Sequence, residues 1–221
     1  VPFAAIMTQP DLGTGLVYLA ISAVVLVMGG AKGRYLLITL IAGIAAIAAV
    51  FAVDELLKYQ QSDGTWEYRL LKNYQRSRLL VLLNPEGDLS GDGYNLAQAK
   101  IAIGSGGLLG LGGGNGNLDR VAAADTDLVF GILCEEWGLI VALCCAACLV
   151  ILALYAATRA ARASSAYYAI AACAAAGMLL LQAALNLFGS VDLLPLTGIT
   201  FPLVSNGGSS MAARFAMLAF I

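Results

Sequence analysis

The stretch Trp137-Gly-Leu-Ile-Val-Ala-Leu-Cys-Cys-Ala-Ala-Cys-Leu-Val-Ile-Leu-Ala-Leu-Tyr-Ala-Ala-Thr158 contains neither a charge nor a proline. A helix of about 20 such residues crosses the roughly 30 Å hydrocarbon core of a bilayer. A helix on a soluble domain would carry charges at regular intervals along one face, and this one has none. Four further charge-free runs, Leu12–Ala31, Tyr35–Val53, Ala163–Val191 and Leu193–Ala213, repeat the pattern. The composition agrees, at 60% hydrophobic and 12% charged residues with a mean hydropathy of +0.84. The chain therefore reads as an all-α, polytopic transmembrane bundle forming one domain. Its spans are expected at about 12–31, 35–57, 128–158, 163–189 and 209–221. The polar segment 58–126 forms a cap with short interfacial or re-entrant helices. Because the sequence opens on Val1 and stops at Ile221 inside an apolar run, it reads as an internal piece with its last span cut short.

Charge placement orients the bundle. Lys32 and Arg34 sit in the first short connection, and Arg159 and Arg162 in the one after the third run. Two spans separate these connections, so they share a side, and the positive-inside rule makes it cytoplasmic. Asp54–Thr126 and Gly189–Ser209 are then extracytoplasmic. A net charge of −2 gives no electrostatic reason for a nucleic-acid partner. Five cysteines and no histidine exclude a zinc site or a His-based triad. Cys145 and Cys148 lie in an Ala/Leu/Val run and read as soft packing residues. Acid–base chemistry falls to carboxylates.

Within the cap, Trp66–Leu83 mixes aromatics and leucines with Arg69, Lys72, Arg76 and Arg78, as a helix lying along a membrane interface would. An amphipathic helix with solvated charges fits it equally well. Asn84–Asp88 is a turn by its Pro/Gly chemistry, and Tyr94–Ile103 predicts a short helix. The Gly-rich run Gly104–Gly116 lacks the βαβ setting of a dinucleotide loop. It suits close backbone approach, or N–H groups facing an anion, or simply a flexible loop.

Asp119, Asp125 and Asp127 precede the third span, and Glu135 and Glu136 lie inside it. On one continuous helix Asp127 and Glu135 would stand about 12 Å apart, too far to flank one bond. Asp125 and Thr126 serve equally well as helix N-caps, and Glu135 and Glu136 as structural polar contacts, although intramembrane carboxylates point by default to function. From Asp192 to Met211, three glycines and two prolines rule out one straight helix, as expected of backbone lining a cavity. Ser209 and Ser210 would cap the helix that follows, whose N-terminus favours an anion.

Three segments, taken together, resemble the SEDS family (shape, elongation, division and sporulation; FtsW, RodA and SpoVE). The first is Gln9-Pro-Asp-Leu-Gly-Thr14. The second starts at Tyr74-Gln-Arg-Ser-Arg78 and Leu83-Asn-Pro-Glu-Gly-Asp88, and continues through Tyr94, Gln98 and Lys100-Ile-Ala-Ile-Gly-Ser-Gly-Gly-Leu108 to Thr126-Asp-Leu-Val-Phe130 and Glu135-Glu-Trp-Gly-Leu139. The third is Leu194-Pro-Leu-Thr-Gly-Ile-Thr-Phe-Pro-Leu-Val-Ser-Asn-Gly-Gly-Ser-Ser210. The resemblance implies a peptidoglycan glycosyltransferase of the bacterial cytoplasmic membrane. It would polymerise lipid II on the outer face beside a class B penicillin-binding transpeptidase, in division or elongation.

The same resemblance makes Asp127 the catalytic carboxylate, matching the Asp of the family's H-T-D-F-I-F. It places substrate against Arg76, Arg78, Gln98, Lys100, Ser205, Gly207, Gly208 and Ser209, with Asp119, Asp125, Glu135 and Glu136 as auxiliary acids. It implies no organic cofactor. A divalent cation (Mg2+ or Mn2+) on Asp125 and Asp127 is a further expectation from their oxygen ligands. Where the family has L-P-E-x-H-T-D, this chain has Val121-Ala-Ala-Ala-Asp-Thr-Asp127. Asn206 replaces the usual Tyr, and Thr197 stands where some division-type members carry Lys. An active, divergent polymerase is expected. The rival readings are a lipid II flippase gated by the Pro/Gly segment and a scaffold that only supports its transpeptidase.

Overall fold

A computed structural model describes residues 12–56, 59–60, 66–67, 92–118, 121, 124–194, 196–219 and 221. Seven helices occur among them: α1 (Leu12–Met28), α2 (Gly33–Leu56), α3 (Asp92–Gly106), α4 (Ala124–Asp127), α5 (Val129–Ala160), α6 (Ala166–Ser190) and α7 (Gly208–Leu218). A two-residue antiparallel ladder pairs β1 (Tyr59–Gln60) with β2 (Trp66–Glu67). The all-α expectation holds, with the first four charge-free runs on α1, α2, α5 and α6. Trp66 and Glu67 correct the helix expected over 66–83: that stretch begins extended, and 68–83 lies outside the described residues. Arg76, Arg78, Asp119, Ala122 and Ala123 also lie outside them.

Helices α5 and α6 are long and apolar enough to cross a membrane. In α5 the buried positions Gly131, Cys134, Glu135, Gly138, Ala142, Leu149, Ala156 and Ala160 recur at helical spacing along one face. The opposite face shows Ile140, Leu143, Ile151 and Leu154 to the surroundings. An outward face of branched aliphatics is favourable in lipid and not in water. Helix α6 buries Ala172, Ala175, Ala176 and Ala183, small residues that let α1 and α5 approach it on either side. At the basic connections Arg34 lies over the Tyr35 ring, 4.9 Å from its centroid, and Arg159 over that of Tyr155 at 5.0 Å. All five cysteines are free thiols.

Two clusters organise the end of the bundle that holds the acidic residues. Phe130, Cys134, Ala142, Ala183 and Phe201 form one, with the Phe130 and Phe201 rings stacked at 6.4 Å. Ala99 and Ala102 of α3 form the other with Leu118, Ala124 and Leu128, and Leu196 packs against them. Lys100 and Asp127 thus sit beside residues of one shared cluster.

A broken helix and a pinned loop

Helix α5 breaks at Gly138, whose φ of 86° and ψ of 162° lie outside the helical region. The Gly-rich run fills the gap. Leu111 and Gly112 N–H donate to the Glu135 and Glu136 carbonyls at 2.8 and 2.9 Å. In return Leu139 and Ile140 N–H donate to the Gly107 and Leu108 carbonyls at 3.0 and 3.4 Å. The helix's lost partners are replaced by the loop's, as buried backbone requires. A Cβ on Gly138 would meet the Leu108 carbonyl oxygen at 2.3 Å, and one on Gly110 the Glu136 oxygen at the same distance. Of the roles the Gly-rich run allowed, close backbone approach is one the structure shows.

The carboxylates of Glu135 and Glu136 finish the clamp. Glu135, only 4% exposed, accepts the N–H groups of Asn117 at 3.0 Å and Leu118 at 2.9 Å. Glu136 accepts Gly114 N–H at 3.0 Å. N–H groups at the end of this run and just beyond it do face an anion, and the anion is the protein's own.

Candidate active site

Asp125, Thr126 and Asp127 form the short turn α4, separated from α5 by Leu128 at φ −117° and ψ 23°. The capping expected of Asp125 and Thr126 is not found, because Leu128 occupies the N-cap of α5 and offers no side-chain acceptor. Asn186 takes that part from α6, its Oδ1 accepting Phe130 N–H at 3.4 Å. The break also means that Asp127 and Glu135 do not share one continuous helix.

Three successive carbonyls of the turn are each held by a donor from the C-terminal third of the chain. Asn206 N–H donates to Asp125 O at 3.2 Å, Ser205 Oγ to Thr126 O at 3.1 Å, and Asn186 Nδ2 to Asp127 O at 2.8 Å. Asn186 Nδ2 also reaches Ile199 O at 2.8 Å, joining the irregular segment to the same anchor. The backbone of the turn is fixed by these three bonds. Among the described residues neither Asp125 nor Asp127 has a hydrogen bond or ion pair to its carboxylate. Asp127 is half-buried and Asp125 exposed.

The other predicted residues divide. Ser205 is 2% exposed, and besides holding Thr126 its hydroxyl oxygen accepts Phe201 N–H at 2.7 Å. It braces the turn. Gly207 is the N-cap of α7, and Gly208 and Ser209 open that helix. The cap expected of Ser209 and Ser210 is therefore not formed; both lie inside the first turn. Gln98 and Lys100 lie on α3, Gln98 half-buried and Lys100 exposed. Lys100 Nζ meets Asp192 Oδ2 at 2.5 Å. Glu135 and Glu136 serve the loop clamp and are not gathered with Asp127.

The described residues hold no group of three His, Cys, Asp or Glu side chains that would bind a metal ion. Asp125 and Asp127 stand two apart on a helical turn, where side chains do not face each other, so this pair does not fit a protein-held cation.

Three participants escaped the sequence reading: Asn186, Asp192 and Arg214. Gln182 and Asn186 are polar residues four apart in an apolar span, a spacing that puts both on one face. Arg214 interrupts the last apolar run, is 4% exposed, and bonds the Thr200 hydroxyl through Nη2. Those interruptions were the available signal.

The comparisons agree with this architecture. The model of the FtsW/RodA/SpoVE family, described as cell cycle proteins, matches residues 1–221. The chain belongs to that family. It is 32% identical over 97% of its length to the peptidoglycan glycosyltransferase MrdB of Escherichia coli K12, covering 55% of that protein. Stage V sporulation protein E of Bacillus subtilis is 29% identical over 95% of the chain, with 53% of that protein covered. Among solved structures, a chain described under structural coordination of polymerization and crosslinking by a peptidoglycan synthase complex superposes with a TM-score of 0.70. It shares 28% identity, over 98% of this chain and 56% of that one. The chain thus spans about half the length of the curated relatives it matches.

Proposed function

We propose that this chain carries the reaction centre of a peptidoglycan glycosyltransferase that joins lipid II units. The observation that carries the proposal is the turn Asp125–Asp127: its backbone is anchored at three consecutive carbonyls, and the Asp127 carboxylate is left without a partner among the described residues. Such preorganisation suits a group that must accept a proton in the transition state. The similarity to glycosyltransferases of known name supports the substrate class.

In this mechanism Asp127 is the general base. It accepts the proton of an acceptor sugar hydroxyl as that oxygen attacks the donor's anomeric carbon. The bond from that carbon to the pyrophosphate oxygen breaks, and the undecaprenyl pyrophosphate leaves with the electron pair. The α-linked donor becomes a β-linked glycan in one inverting displacement. Proton acceptance of this kind typically contributes about 10²–10⁴-fold. Lys100 and, from outside the described residues, Arg76 and Arg78 are proposed to offset the leaving group's charge. The N-terminal turn of α7 at Gly207–Ser209 is proposed to offer backbone N–H groups to the same anion.

The basic connections at Lys32/Arg34 and Arg159/Arg162 support a cytoplasmic-membrane topology with Asp127 on the extracytoplasmic face. The likeness to a synthase complex supports a class B transpeptidase as partner. The flippase reading has less support, because the Pro/Gly segment proposed as its gate is bonded to α4 through Ser205 and Asn206 and to α6 through Ile199. Full-length protein carrying Asp127→Asn should fold and bind lipid II without polymerising it. Glycan chains formed by that variant at the wild-type rate would end the proposal.

A further inference from the structure

Asp192 terminates α6 with φ +64°, a left-handed conformation that glycine adopts freely and other residues rarely. Its N–H donates to the Gly189 carbonyl at 3.2 Å, fixing the turn. Aspartate is among the side chains that tolerate this conformation at a helix end, and its carboxylate has a visible partner. The carboxylate, 14% exposed, holds the Lys100 ammonium of α3 at 2.5 Å, while the lysine side chain is 44% exposed. The cation that the proposed reaction would present to a pyrophosphate is therefore already occupied, by an anion partly buried at the rim of the bundle.

We propose that Asp192 is a built-in competitor for the phosphate oxygens that Lys100 would bind. It weakens the hold on a polyprenyl pyrophosphate and so speeds release of the leaving group after transfer. The inference rests on the proposed function, in which Lys100 faces the pyrophosphate. Two anions cannot share one ammonium at full strength, so the carboxylate returns to Lys100 as the product departs. Without it, substrate and product would both bind more tightly, and turnover would become limited by product release.

The test uses full-length protein in phosphatidylcholine vesicles, with lipid II as substrate and undecaprenyl pyrophosphate as inhibitor. Asp192→Asn removes the charge, and Asp192→Gly removes it while relieving the backbone, so one of the two keeps the fold. Each should lower the KM for lipid II and the inhibition constant of undecaprenyl pyrophosphate by about fivefold, the scale of one partly exposed charge pair. Neither should raise kcat. In a Lys100→Gln background the same substitutions should leave the dissociation constant of undecaprenyl pyrophosphate, measured by direct binding, unchanged.

If wild type polymerises lipid II while both Asp192 variants keep its constants, the competitor role fails and the glycosyltransferase reading survives. Restoration of wild-type constants by the swap Lys100→Asp/Asp192→Lys would also overturn it, because the pair would then be only a structural tie. A shift that appears only when phosphatidylglycerol is added to the vesicles would assign Lys100 to phospholipid headgroups and likewise end the product-release role. Absence of polymerisation by wild type would instead defeat the parent reading.

Discussion

The Gly-rich clamp on α5 and the turn at Asp125–Asp127 are both breaks in helical backbone lined by carboxylates, and they treat those carboxylates in opposite ways. At the clamp, Glu135 and Glu136 are filled with loop N–H groups while the two backbones exchange bonds. At the turn, the carbonyls are filled by Asn206, Ser205 and Asn186 while the Asp127 carboxylate has no partner among the described residues. A saturated carboxylate holds structure; an open one on a fixed backbone is ready for chemistry. Residue type alone does not distinguish them, since all four are acids near one end of one span.

Substitutions that move a carboxylate or an anchor from one condition to the other would break this contrast or sharpen it. The largest effect is expected from Asn186→Leu, which strips the bonds to Asp127 O, Ile199 O and Phe130 N–H in a site 2% exposed. Each buried group left unsatisfied costs about 1–3 kcal/mol. Melting in detergent should drop clearly, and any folded fraction should polymerise about 10²-fold more slowly, because the base is no longer held. An unchanged kcat at reduced stability would show that the anchor does not serve the base.

Next comes Glu135→Gln. One amide oxygen replaces two carboxylate oxygens facing the Asn117 and Leu118 N–H groups, which should lower stability by about 1–3 kcal/mol. The folded protein should keep its turnover. A loss of turnover without a loss of stability would move Glu135 to the chemical side of the comparison. Smallest is Asp125→Asn: an exposed side chain with no partner among the described residues should change stability by less than about 0.5 kcal/mol. Rates should stay within about twofold. A collapse of activity here would mean that Asp125 shares the reaction.

Much of this organisation could be read along the chain. Helices α1, α2, α5 and α6 were legible because a long uncharged run has few other uses, and α3 and the irregular 193–207 segment followed from their own composition. The D-T-D turn was harder. Asp and Thr before an apolar run have the chemistry of an N-cap, and only the long-range bond that Phe130 N–H donates to Asn186 Oδ1 shows that the cap comes from another helix. Glu135 and Glu136 looked like candidates for chemistry because their partners are backbone N–H groups of a glycine loop, which have no side-chain signature. Asp192 was hidden for a related reason: the lysine it holds is far away in sequence, and its positive φ is visible only once the helix end is built.

The most direct measurement compares polymerisation and melting for Asp127→Asn and Glu135→Gln in the same membranes. Asp127→Asn should melt with wild-type protein, retain lipid II and form no glycan chains, whereas Glu135→Gln should melt earlier and still form them. Glycan chains from Asp127→Asn, with Glu135→Gln inert at full stability, would reverse the two carboxylates and contradict the account.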